Sequence, residues 1–216
     1  SDGFGNQNVT PHSATFDLTM PACSATATAA AATSTTVALT CATGGTCAVG
    51  DTGPGGGIVF YVASANFTST GSDCGTACKY LEAAPTSGTS AWTDASYAWS
   101  GNTTGEIGLN ARGTAVGSGY KNTVAMVAQS STANRAGTIA RAYRGPNNLS
   151  DWYLPSKDEV WQLYIQRTTV GFSTDGYWSS SEFSGNHAWY QSFANGTQNG
   201  SSKLNSFYVR PVRAFG

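Results

Sequence analysis

Apolar residues return at three- and four-residue intervals after position 156, at Val160, Leu163 and Tyr164, with Arg167 on the same face. That spacing predicts an amphipathic helix. Ser156 is a good N-cap, and Glu159 three residues later completes a capping-box pattern. Pro155 keeps the preceding chain extended, while Asp158 and Glu159 suit the positive end of the helix dipole. Gly171 suits the exit. Residues 120–129, with Val124, Val127 and Ala128 on one side, and residues 133–143 read as two further helices. Elsewhere the period shortens to two or the run is continuous. Residues 14–20 alternate, placing Phe16, Leu18 and Met20 on one side of a strand, and residues 34–40 read as another. Residues 58–62 read as a buried strand and 79–83 as a second. Strands follow over 176–180, 187–194 and 207–214, with Asn195-Gly196 and Asn199-Gly200 as turn signals. Residues 86–118 read as loop anchored by Trp92 and Trp99.

The pattern divides the chain. Residues 1–48 form a short β-rich extension whose Ala/Thr tract, 25–36, favours extended chain because β-branched Thr interrupts the Ala. The extension has too few large apolar residues for its own core. It docks on the main domain, forms a stalk, or adds its Phe16–Leu18–Met20 face to a sheet edge of a neighbouring subunit, giving self-association. Residues 49–216 make the main domain. The Gly-rich stretch 50–56 reads as a turn: a collagen helix needs many more triplets, and a phosphate loop would follow a strand and end in Gly-Lys-Ser/Thr.

An ordered set of motifs runs through the main domain: Gly50-Asp51-Thr52-Gly53-Pro54-Gly55-Gly56-Gly57-Ile58-Val59-Phe60-Tyr61, Tyr80-Leu81-Glu82-Ala83-Ala84-Pro85, Gly113-Thr114-Ala115-Val116-Gly117, Trp152-Tyr153-Leu154-Pro155-Ser156-Lys157-Asp158-Glu159, Tyr177-Trp178-Ser179-Ser180-Ser181-Glu182, and Tyr208-Val209-Arg210-Pro211-Val212-Arg213. This set resembles the C-terminal ligand-binding domain of bacterial collagen-like adhesins and their secreted relatives. The resemblance implies an α+β, C-type-lectin-like fold: a central antiparallel sheet, two or three helices and long loops. It places Trp178 and Trp189 on central strands in the core. Substitutions in the retroelement-diversified relatives concentrate late in the fold, which implies a binding face there. Tyr190, Gln191, Asn195, Gln198, Asn199 and Asn205 are its surface candidates.

Composition points the same way. Charged residues are 11% of the 216, aromatics 12%, and there are 26 Gly. Low charge with abundant Ser, Thr, Asn and Gly predicts an extracellular or cell-surface protein, and the aromatic content argues against disorder. No apolar run approaches the ~20 residues of a membrane span. Net charge is −1, which makes nucleic acid a poor partner. Yet Arg112, Lys121, Arg135, Arg141 and Arg144 occupy 107–150 without an acid, a candidate anion patch. All five cysteines precede position 79. Cys74 and Cys78 are spaced to close a short disulfide loop, and Cys41 pairs with either Cys47 or Cys23. Zinc is disfavoured: the only histidines are His12 and His187, and Cys-x-x-Cys is absent.

Little catalytic equipment is legible. There is no Gly-x-Ser-x-Gly and no His-Glu-x-x-His. The formylglycine-generating enzymes that share the resembled fold use late cysteines, and none follows Cys78. The Glu-Pro-Asn and Trp-Asn-Asp motifs of calcium-dependent lectins are missing too. The expectation is a non-enzymatic adhesin or receptor-binding domain, without cofactor or metal, that recognises a glycan, an anionic polysaccharide or a surface protein. The alternative is a self-assembling subunit of an extracellular filament or surface layer.

Overall fold

The computed structural model describes residues 39–216. The elements in chain order are β1 (Ile58–Phe67), β2 (Cys78–Ala83), β3 (Ser96–Ala98), α1 (Gly119–Gln129), α2 (Ala136–Ala142), α3 (Lys157–Ile165), α4 (Arg167–Val170), β4 (Gly176–Ser184), β5 (His187–Ser192), β6 (Gln198–Ser202), β7 (Ser206–Tyr208) and β8 (Val212–Phe215). The architecture is α+β. Among the described residues there are two sheets instead of one central sheet, one ordered β1-β2-β8 and antiparallel, the other ordered β3-β7-β4-β5-β6 with a single parallel pair, β4 beside β7.

The run 207–214, expected as one strand, is split between the two sheets. Pro211 cannot donate to a ladder, and the chain crosses over 209–211 with Val209 and Arg210 buried. Asn195-Gly196 closes the β5–β6 hairpin as expected. Asn199-Gly200 does not turn; it lies within β6, where Gly200 pairs with Trp189.

The Ser156 box forms as read. Ser156 Oγ accepts from Glu159 N at 3.3 Å, and Glu159 Oε2 accepts from Ser156 N at 2.7 Å. Ser156 Oγ also donates to Ala115 O at 2.9 Å, tying the helix start to the preceding loop. Val160 and Leu163 are buried and Tyr164 half-buried. The helix ends at Ile165, and Gly171, at φ 76°, terminates α4 instead. Ser156→Ala removes both bonds and is expected to cost about 1–2 kcal/mol, read from the denaturation midpoint.

Two large apolar clusters and one small one make the core. Phe60, Leu81, Tyr153, Leu163, Tyr177 and Val212 build the first; Trp99, Met126, Leu154, Trp178 and Val209 build the second. Trp178 is buried as expected, but Trp189 is only half-buried, because β5 alternation turns it away from Ala188 and the second cluster.

Cys74–Cys78 and Cys41–Cys47 are both disulfides. Cys41 and Cys47 pack with Val59 and Phe215, so residues 39–48 belong with the compact unit. Phe16, Leu18, Met20 and Cys23 lie outside the described residues.

Candidate functional site

The loops are held by buried charge. Glu82, on β2, accepts from Gly55 N at 2.9 Å and Gly57 N at 2.9 Å, and so clasps the Gly-rich turn. Those glycines are required by close approach: a Cβ at Gly55 would lie 2.6 Å from Glu82 Oε1, and one at Gly57 would lie 2.5 Å from Ala83 O. Arg213, directly across the ladder from Glu82, bridges it at 3.1 Å and Asp151 at 2.5 Å. Glu182 accepts from Ile107 N at 2.9 Å and Gly108 N at 2.7 Å, with the buried Lys203 ammonium 2.7 Å away. Arg210 pairs through two nitrogens with Asp94, which also accepts from the Tyr177 hydroxyl at 2.6 Å. A charged group taken out of water is tolerated only when paired and hydrogen-bonded, and these groups are. The 86–118 stretch, expected to be loop throughout, contains strand β3 and is tied down at Asp94, Ile107 and Gly108.

Glu159 is the exception, buried without a cation partner among the described residues. Its carboxylate accepts from Gly117 N at 2.8 Å, Ser156 N and the Tyr153 hydroxyl at 3.1 Å. Burial pushes its pKa up to about 7, against the opposing pull of those hydrogen bonds. The folded state therefore holds this proton more tightly than the unfolded chain does. Stability conferred by the bound proton is full below pH 4.5 and is lost as pH rises through about 7. The expected loss between pH 4.5 and pH 8 from this group is about 3 kcal/mol. Urea denaturation at several pH values reads it, and Glu159→Gln should flatten that slope whatever its offset.

The six late-face candidates fare differently. Gln191 is fully buried and donates to Ser192 O at 2.9 Å, a correction: residues 187, 189 and 191 share one strand face, and α3 packs against β5. Tyr190 stacks on Phe207 with ring centroids 4.3 Å apart. Gln198 Nε2 donates to Lys157 O at 2.7 Å. Asn195, Asn199 and Asn205 are exposed; Asn195 accepts from Thr197 N and Oγ1, and Asn205 donates to Ser201 Oγ.

The five bases do not share one pocket, although Arg141 and Arg144 are neighbours. Arg112 is ion-paired with Glu106. Arg141 donates to Trp152 O at 2.7 Å and lies over the Tyr120 ring, and Arg144 donates to Arg141 O at 2.7 Å. Arg135 lines a cavity of about 410 Å³ with Tyr97 and Asn134, and Lys121 lines another of about 250 Å³ with Thr68 and Ser118.

A surface that the sequence reading missed lies beside the hairpin. Phe183 is 50% exposed and meets the Trp189 ring edge-on at 4.9 Å. Trp161, on α3, is 38% exposed and stacks on Tyr164 at 5.4 Å. The Lys157 ammonium is 5.0 Å over the Trp189 ring, and the Arg167 guanidinium 4.3 Å over Tyr164. The available signal was Trp161 four residues after Lys157, opposite the buried Val160–Leu163 stripe.

No family model matches the chain, and no curated protein matches it. Its fold is similar to that of a fimbrial protein. That protein is from Bacteroides ovatus ATCC 8483, and the TM-score is 0.50 at 15% identity. The match covers 74% of this chain and 44% of the other, so this chain spans less than half the fimbrial protein's length. At that identity the likeness is one of fold. Among the described residues, no helix is long and apolar enough to cross a membrane, and no group of three or more His, Cys, Asp or Glu is placed to hold a metal.

Proposed function

We propose that the domain is a non-enzymatic binding module of an extracellular, surface-attached assembly. The observation that carries this reading is the fold likeness to a fimbrial protein over 74% of the chain. The buried ion pairs fit it, since they hold loops against the sheets. The one described histidine, His187, has a ring whose hydrogen bond among the described residues is with Asn186 Oδ1, its neighbour in sequence. Within this reading the domain is C-type-lectin-like, a placement supported by the motif order and by α1 and α3 lying against β4. Its ligand is a glycan or a surface protein.

The fimbrial likeness also favours a second reading, in which the chain is itself a filament subunit that self-associates through residues 1–48. Immunogold electron microscopy of intact cells producing the protein tests both. Label along filaments favours the subunit, and label at tips or over the envelope favours the binding module. Label confined to the cell interior contradicts both.

A further inference from the structure

The aromatic surface beside the β5–β6 hairpin has a composition that the core does not explain. On a sheet face, Trp189 would ordinarily be shielded by its cross-strand neighbour. That neighbour is Gly200, which has no side chain, and Phe183 lies in the gap: a Cβ at Gly200 would sit 3.1 Å from its ring. The register shift in β4 between Glu182 and Ser184 lets Phe183 emerge exposed between a buried Glu182 and a half-buried Ser184. One helical turn beyond Lys157, about 5.4 Å along α3, Trp161 presents the second exposed ring. Tyr164 fixes it from behind, itself seated against Gly196, where a Cβ would lie 2.8 Å from the phenol ring.

Each ring pair carries a cation with unspent donors. Lys157 Nζ has no hydrogen bond among the described residues; Asp158 Oδ1 is 3.9 Å away, beyond hydrogen-bond reach. Arg167 donates Nη1 to Tyr164 O at 2.9 Å, and no acid among the described residues pairs with it. Lys157 and Arg167 already lie over the Trp189 and Tyr164 rings, so the exposed Phe183 and Trp161 rings are the apolar faces left open, each near a positive group, and they complement a ligand with apolar faces and negative charge. Aromatic rings stack on the C–H faces of pyranose sugars, and a uronic acid sets its carboxylate on the same ring that stacks.

We infer that Phe183, Trp189, Trp161 and Tyr164, with Lys157 and Arg167, form a binding track for a polyuronate, an acidic polysaccharide of carboxylated pyranoses. The inference rests on the reading of the domain as an extracellular binding module and names its ligand class. Stacking selects the sugar ring, and Lys157 and Arg167 select the carboxylate. The bases at 112, 121, 135, 141 and 144 take no part.

The test is titration of the full chain with sodium polygalacturonate, neutral dextran and dextran sulfate, followed by calorimetry and tryptophan fluorescence. Polygalacturonate should bind saturably and shift the fluorescence, with neutral dextran not binding and dextran sulfate weaker. Trp161→Ala and Lys157→Gln, both at exposed or half-exposed positions, should each weaken binding at least tenfold while leaving the melting transition in place. Absence of saturable polygalacturonate binding overturns the inference. So does binding that neither variant changes, or dextran sulfate binding at least as tightly, which marks simple counter-ion attraction. If the inference fails while the chain still binds another glycan or a surface protein, the binding-module reading stands without it.

Discussion

Arg213→Met should be the most damaging conservative change in the domain, with an expected cost of about 3–5 kcal/mol. Methionine keeps the stem and roughly the volume, so the loss isolates the guanidinium. Without it the buried Glu82 and Asp151 carboxylates each lose their cation, and Asp151 Oδ2 already has no hydrogen-bond partner among the described residues. Glu82 retains Gly55 N and Gly57 N, and so the Gly-rich turn should remain attached. The pH dependence separates this mechanism from simple packing loss. Burial already pushes the Glu82 carboxyl upward, against Arg213 and the two backbone amides. Acid should neutralise the stranded Glu82 carboxylate and shrink the penalty. Denaturation midpoints of wild type and variant should therefore diverge at pH 8 and approach one another near pH 4. A penalty unchanged across that range would assign the effect to packing.

Trp178→Ala is expected to cost about 3–5 kcal/mol, from lost apolar burial and the cavity left behind. The indole is fully buried, meets Phe207 edge-on at 4.7 Å, and donates Nε1 to Tyr97 O at 2.8 Å. Its loss empties the centre of the second cluster and leaves the Tyr97 carbonyl without that donor. Tyr97 sits on β3, and the β3–β7 edge should loosen first. Amide exchange should speed at β3 and β7 more than in β1-β2-β8. Ser156→Ala should lower stability far less, and the contrast between the two substitutions locates the core.

Features set by local chemistry were legible in the sequence. The Ser156–Glu159 box, the Asn195-Gly196 turn and the short Cys74–Cys78 loop each depend on residues within a few positions of one another. The misread features depend on distant partners. Residues 207–214 look like one strand until Arg210 is seen to reach Asp94 and Arg213 to reach Glu82 and Asp151. Asn199-Gly200 carries a turn signal, yet the hairpin had already closed, and Gly200 serves the close approach of Phe183. Gln191 looked like a surface amide because alternation alone does not say which strand face a helix covers. Lys203 is fully buried in a turn beside exposed Leu204 and Asn205; no periodicity announces a lysine that is satisfied by Glu182, Gly185 O and Gly105 O. The aromatic surface was hardest to read, because Phe183 emerges at a strand irregularity and fills the gap beside Trp189 that Gly200 leaves.

The central claim is that a rigid, non-enzymatic scaffold presents an extracellular binding surface. Binding of the purified full chain to immobilised panels of glycans and surface proteins, measured by concentration series, tests it most directly. The account predicts saturable binding to a restricted set of ligands, with each ligand recovered chemically unchanged after prolonged incubation. Turnover of a bound ligand, or no saturable binding to any panel member by a chain whose melting transition is intact, would contradict it.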